Sequence, residues 1–94
     1  MDRLRQIHEM LDSCLTTEIL STIDRTLQRW LDIFRTRHAK TLRHRKIQIA
    51  LLEKVGNTVE EHFDISLKGN ELIQVGRRVD DFLLERGYRI KTFL

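Results

Sequence analysis

The chain has no proline and only four glycines among its 94 residues. Proline interrupts α-helices more strongly than any other residue, so its absence permits long helices without proving them. No apolar run approaches the ~18 residues that a membrane-spanning helix needs, so we expect no such helix. The composition, 40% apolar and 33% charged, is too apolar for a disordered chain and too charged for a membrane protein. A small globular domain is therefore expected.

Cysteine is nearly absent as well, and the single Cys14 cannot form an internal disulfide. A lone thiol is typical of a reducing compartment. The polar, periodic N-terminus also predicts no signal peptide. We therefore expect a cytoplasmic, intracellular location. A chain of this length makes one domain, residues 1–94, whose thin core would gain stability from a partner or from a second copy of itself.

The N-terminal part has an apolar stripe typical of a helix. Leu4, Ile7, Leu11 and Cys14 recur at steps of three and four residues, which predicts a first helix. We expect a short break near 14–17, with one continuous helix as the alternative. Thr16 or Thr17 would then begin a second helix.

The clearest stripe lies on this second helix. Apolar residues recur at steps of three and four between residues 19 and 34 and cover an arc of ~160° on a helical wheel. Such a wide arc usually contacts two neighbours. We therefore predict that this face contacts a partner, either in a homodimer or on another helical protein. The predicted interface residues are Leu20, Ile23, Leu27, Trp30, Leu31 and Phe34.

The segment 35–46 is strongly basic and contains no acid, and the acid-free stretch extends from Ile33 to Leu52. Such a segment attracts phosphates or an acidic protein partner. No aromatic residue interrupts it, which disfavours stacking on single-stranded bases. A turn near 37–41 and a continuous helix are both compatible with it. The predicted phosphate- or acid-binding residues are Arg35, Arg37, Lys40, Arg43, Arg45 and Lys46.

The third helix resumes its apolar character at Ile47. Gly56-Asn57 predicts its end, because glycine accepts the left-handed conformation at little cost. Thr58 and Glu61 fit a capping box, which predicts that a short new helix starts there.

The C-terminal third allows two interpretations. Residues 63–75 could form a hairpin that turns at Lys68-Gly69-Asn70. The alternative, which we prefer for its helical spacing of apolar residues from 72 to 83, is a helix capped at Asn70 and stopped by Gly87. Residues 88–94 alternate weakly, as in a short strand or a tail. The predicted fold class is all-α, a small three- or four-helix bundle, possibly with a short C-terminal β element.

Few residues suggest catalysis, a metal or a cofactor. No two of the histidines His8, His38, His44 and His62 stand at i, i+4, and zinc needs three or four converging ligands. We expect surface or half-buried histidines instead. The serines lack a nucleophile elbow, and no glycine pattern would cradle a phosphate. These observations favour a protein that is not an enzyme.

One motif is compatible with an enzyme. Arg37-His38 and His44, with six residues between Arg37 and His44, resemble the arginine-and-histidine active-site motif of HEPN-type ribonucleases. The resemblance implies an all-helical, dimeric ribonuclease. It covers eight residues and lies mid-chain, whereas the motif helix of that family comes late in the domain.

Three functions follow in order of preference. The first is a non-catalytic protein-interaction module, such as an adaptor, chaperone or regulatory subunit, which binds a partner through an apolar helix face and is steered by the basic segment. The second is a nucleic-acid-binding regulator that uses segment 35–46. The third is the HEPN-like ribonuclease.

Overall fold

The protein is an all-α bundle. The computed structural model describes residues 2–31 and 39–90, and it describes side chains for 2–26 and 44–90. Within these ranges there are four helices and no strand. They are α1 (Arg3–Cys14), α2 (Thr17–Leu31), α3 (Ala39–Phe63) and α4 (Gly69–Glu85). None of the helices in the described ranges has the length and apolar character needed to cross a membrane.

The predicted break between α1 and α2 is confirmed. Asp2 caps α1, because its carboxylate accepts a hydrogen bond from the backbone N–H of Leu4 at 3.1 Å. Thr16 caps α2, and its Oγ1 accepts from the N–H of Ile19 at 3.3 Å. Both side chains satisfy backbone donors that the first turn of a helix leaves without partners. The choice between a turn near 37–41 and a continuous helix falls largely on residues 32–38, which lie outside the described residues.

The core forms around α3. Ile47, Leu51, Val55 and Val59 follow one another at four-residue steps and are at most 1% exposed. Side chains at this spacing lie on one face of a helix, and α1, α2 and α4 all contact α3. The remaining buried apolar residues are Ile7, Leu11, Leu15, Leu20, Ile23, Val75, Val79, Phe82 and Leu83.

The prediction that α3 ends at Gly56-Asn57 is wrong, and so is the capping box at Thr58. The helix continues to Phe63, and Thr58 donates its hydroxyl to the carbonyl of Lys54 at 2.9 Å, inside the helix. A glycine costs a helix about 1 kcal/mol. Burial of Val55 and Val59 on either side offsets that cost, because a buried valine contributes about 1.5 kcal/mol or more.

The actual end of α3 lies at Asp64, which has a left-handed φ of 53°. The N–H of Ile65 donates to the carbonyl of Glu60 at 3.1 Å, as in a Schellman motif. The Glu60 carboxylate also accepts from the N–H of Leu67 at 2.7 Å. Aspartate and asparagine tolerate this conformation better than most residues, although glycine is the usual signal. The glycine signal in the sequence therefore predicted the end of α3 at Gly56 and not at Asp64, where the helix ends.

The hairpin alternative for 63–75 is wrong, and the preferred helix is confirmed. α4 begins at Gly69, however, one residue before the predicted cap Asn70. It ends as predicted, because Gly87 has φ 82° and the N–H of Tyr88 donates to the carbonyl of Leu83 at 3.1 Å. Residues 88–90 form no strand, so a β element there is wrong, and 91–94 lie outside the described residues.

Two ion pairs join α1 to α4. The guanidinium of Arg3 donates to both carboxylate oxygens of Glu71, each at 2.6 Å, and Arg78 pairs with Asp12. The hydrogen bonds from Arg3 lower the pKa of Glu71, and those to Glu71 raise the pKa of Arg3. Arg3 near the start of α1 pairs near the start of α4, and Asp12 near the end of α1 pairs further along α4. The two helices therefore run parallel.

We expect Gly56→Ala to stabilise the protein by ~0.5–1 kcal/mol, because alanine favours helix and restricts the unfolded chain. The added Cβ would meet Leu67 Cδ1 at 3.7 Å, an ordinary contact. Gly87→Ala is the matched control and should destabilise by about 1 kcal/mol or more, because its positive φ disfavours a side chain. Urea unfolding measures both. A less stable Gly56→Ala would contradict the described packing at this position.

We expect Arg3→Ala to lower the free energy of unfolding at pH 7 but not in acid. The lowered pKa of Glu71 means that the pair contributes stability above the ordinary glutamate pKa of about 4.3. That contribution is lost as the pH falls through the lower pKa of the folded state. Urea unfolding between neutral and acidic pH measures the difference.

Arg5→Ala is the control for this pH series, because Arg5 pairs only at 3.6 Å with Glu9 on its own helix and both side chains are largely exposed. Its effect on unfolding should be smaller at every pH. An effect of Arg3→Ala that is equally large in acid and at pH 7 would show that the ion pair is not its cause.

Candidate partner-binding groove between α2 and α3

An open groove runs between α2 and α3, with a volume of about 230 Å³. Pockets that enclose a small molecule usually measure ~300–1,000 Å³. The α2–α3 groove is smaller and open, so it suits side chains inserted from a partner better than a whole enclosed ligand. Its lining residues are Thr22, Ile23, Thr26, Ala50 and Lys54.

The α2 wall of the groove behaves as an apolar surface although it contains two threonines. Thr22 donates its hydroxyl to the carbonyl of Glu18, and Thr26 donates to the carbonyl of Thr22, each at 3.0 Å. Burial of a polar group is costly when its hydrogen bond is lost. Because these donors are already satisfied within the helix, an apolar partner can cover them without that cost.

The α3 wall is formed by a small residue and a cation. Ala50 is half-buried and packs against the core, and Lys54 one turn later is exposed. No acidic residue lines the groove among the residues that the structure describes. The wall therefore combines space for an apolar side chain with a positive charge at its edge.

The predicted interface on α2 is only partly within the described side chains. Leu20 and Ile23 are each 7% exposed and belong to the protein's own core, and Ile23 also reaches the groove. Leu27, Trp30 and Leu31 lie on α2, but their side chains are outside the described residues, as is all of Phe34. The described part of the stripe therefore packs mainly in the core, and only Ile23 of these two residues also lines the groove.

The predicted basic segment is also only partly described. Arg35 and Arg37 lie outside the described residues, and Lys40 and Arg43 lie on α3 with side chains outside them. Arg45 is exposed and Lys46 is half-buried. Within its described part, the segment belongs to the first two turns of α3 rather than to a loop.

His44 differs from the expected surface or half-buried histidine, because it is only 9% exposed. Its Nδ1 accepts a hydrogen bond from the backbone N–H of Arg89 at 2.9 Å. Its ring lies 4.8 Å from that of Tyr88. Through these two contacts, the imidazole holds residues 88–90 against the start of α3. A general base must reach the proton that it removes. His44 is nearly buried and its Nδ1 already accepts from Arg89, so this geometry favours a structural role over the one that the HEPN resemblance implies.

A second, larger groove of about 500 Å³ lies between α1 and the end of α3. Half-buried Met10 and Phe63 contribute its apolar part, but Glu9, Ser13 and His62 are exposed and solvated. A ligand would have to remove water from these polar groups. No group of three or more potential metal ligands occurs in the described part of the chain. The α2–α3 groove is therefore the better candidate for a partner.

Thr22, Thr26, Ala50 and Lys54 were missed as candidate site residues. Their signal is weak, because two threonines at i, i+4 beside an apolar stripe are also typical of an ordinary solvated helix edge. Only the packing of α3 against α2 brings all four to one groove.

We expect His44→Phe to keep a ring beside Tyr88 but to loosen residues 88–90. The backbone N–H of Arg89 would lose its acceptor, which costs about 1 kcal/mol. Amide hydrogen exchange measured by NMR should become faster at Arg89. Arg45→Ala, at the exposed neighbouring position, is the control and should leave the exchange rate unchanged. Unaltered exchange in His44→Phe would contradict the described hydrogen bond.

We also compared the chain with known proteins. No protein-family profile, curated protein sequence or solved structure matches it. The groove, its lining residues and their charges are therefore the features from which a function can be inferred.

Proposed function

We propose that this protein is a non-catalytic protein-interaction module that holds a helix of its partner in the α2–α3 groove. The observation that carries the proposal is the lining of the groove. It has an apolar floor at Ile23 and Ala50, and its threonine donors are already satisfied by the α2 backbone. An amphipathic helix binds such a groove through apolar side chains spaced one turn apart.

The proposal extends to the part of α2 beyond the described side chains. Trp30 follows Thr26 by four residues on the same helix, and tryptophan is enriched among the residues that contribute most to binding. The proposal also includes an intracellular location and a regulatory or adaptor role. A second copy of the chain is the alternative occupant, and nucleic acid bound by segment 35–46 is the alternative ligand.

We expect Ala50→Phe to weaken the binding of a partner helix by at least about tenfold, because the larger side chain occupies the groove. The probe is a fluorescent amphipathic peptide with a leucine stripe and glutamine on its polar face, and fluorescence anisotropy measures its binding. Ile49→Phe is the matched control. Ile49 is the neighbouring residue on α3, is 53% exposed and does not line the groove.

Circular dichroism and urea unfolding establish that both variants fold. Equal binding by wild type and folded Ala50→Phe would contradict the proposed site. Light scattering tests the alternative occupant, because a dimer that Ala50→Phe dissociates would place a second copy in the groove. Binding of labelled RNA or DNA that weakens steeply with salt would instead support the nucleic-acid regulator.

A further inference from the structure

The two walls of the α2–α3 groove differ in charge. On the α2 side, Thr22, Ile23 and Thr26 are uncharged, and both hydroxyls donate to the helix backbone. On the α3 side, Lys54 lines the groove and is exposed. Among the lining residues that the structure describes, the charge therefore lies on the α3 side.

The sequence of α3 extends this asymmetry. Lys46, Ala50 and Lys54 follow one another at four-residue steps, which places them on one face of the helix. From Ala39 to Leu52, α3 contains lysines and arginines but no aspartate or glutamate. Within the described side chains, the exposed Lys54 is therefore the cation that a partner along this wall would meet, on a helix whose sequence has no acid before Glu53.

We infer that the partner is an acidic amphipathic helix whose carboxylates lie along the flank that faces α3. This inference rests on the proposed function and adds the chemical class of the partner. Complementary charges at the rim of an interface raise the rate of association and disfavour partners of the wrong charge. An apolar stripe fills the floor of the groove, which phosphates of a nucleic acid would not do.

Three peptides with one common leucine stripe test the inference, and they differ only in whether glutamate, glutamine or lysine occupies the polar flank. We expect the glutamate peptide to bind about two- to fivefold more tightly than the glutamine peptide at low salt, the range typical of exposed ion pairs. The lysine peptide should bind more weakly than either. Added salt should reduce the difference between glutamate and glutamine.

Two charge reversals then locate the effect. Lys54→Glu should remove the preference for the glutamate peptide and improve binding of the lysine peptide. Lys68→Glu changes the net charge equally at an exposed position before α4, outside the groove. It should leave the preference largely unchanged. Chemical shifts of Thr22, Thr26 and Ala50 show whether the peptide is bound in the groove.

The outcomes separate the inference from the proposed function. If Ala50→Phe abolishes binding but all three peptides bind equally, the inference is wrong and the docking function stands. An equal effect of Lys54→Glu and Lys68→Glu would also overturn the inference, because net charge alone would then explain the preference. If no peptide binds, or if Ala50→Phe has no effect, both fail. RNA that shifts the same groove residues and binds more tightly than the glutamate peptide would replace the acidic helix as the ligand.

Discussion

The bundle depends on one uninterrupted face of α3. Ile47, Leu51, Val55 and Val59 lie on it within 1% of complete burial, and α1, α2 and α4 all contact this helix. A thin core of this kind has no second layer that could compensate for a break. Ending α3 at Gly56 would remove Val59 from the core and Glu60 from the cap that holds Leu67. The continuity of α3 therefore fixes the positions of the other helices.

The length of α3 also explains the exposed groove. The 25 residues of α3 exceed the 15 of α2, so α2 cannot cover α3 along its whole length. Along the edge of α2 the surface stays open between Thr26 and Lys54. The threonine hydroxyls already donate to the helix backbone. The groove therefore loses few hydrogen bonds to water when a partner displaces that water. The same feature that organises the core thus leaves a surface suited to a partner helix.

Sequence periodicity predicted the features that depend on burial, and local signals failed where burial outweighed them or where no signal was present. The buried faces predicted for α1 and α4 are confirmed at their centres, because Ile7, Leu11, Val75 and Val79 are all fully buried. Gly56 gave a false end, since the burial of Val59 outweighs a local preference worth about 1 kcal/mol. Asp64 gave no recognisable signal, because a left-handed aspartate is uncommon. The groove was not predictable, because its walls belong to two helices and only their packing brings Thr26 near Lys54.

His44 and the proposed binding surface lie on different sides of one helix. The basic segment suggested a functional histidine, yet this side chain accepts from the N–H of Arg89 and packs against Tyr88. Ala50 follows His44 by six positions, which is ~120° around a helix. The segment after α4 therefore attaches to one side of α3 and leaves the side with Ala50 and Lys54 open. The residues suited to a partner are consequently the small and hydroxyl-bearing ones, while the histidine stabilises the fold.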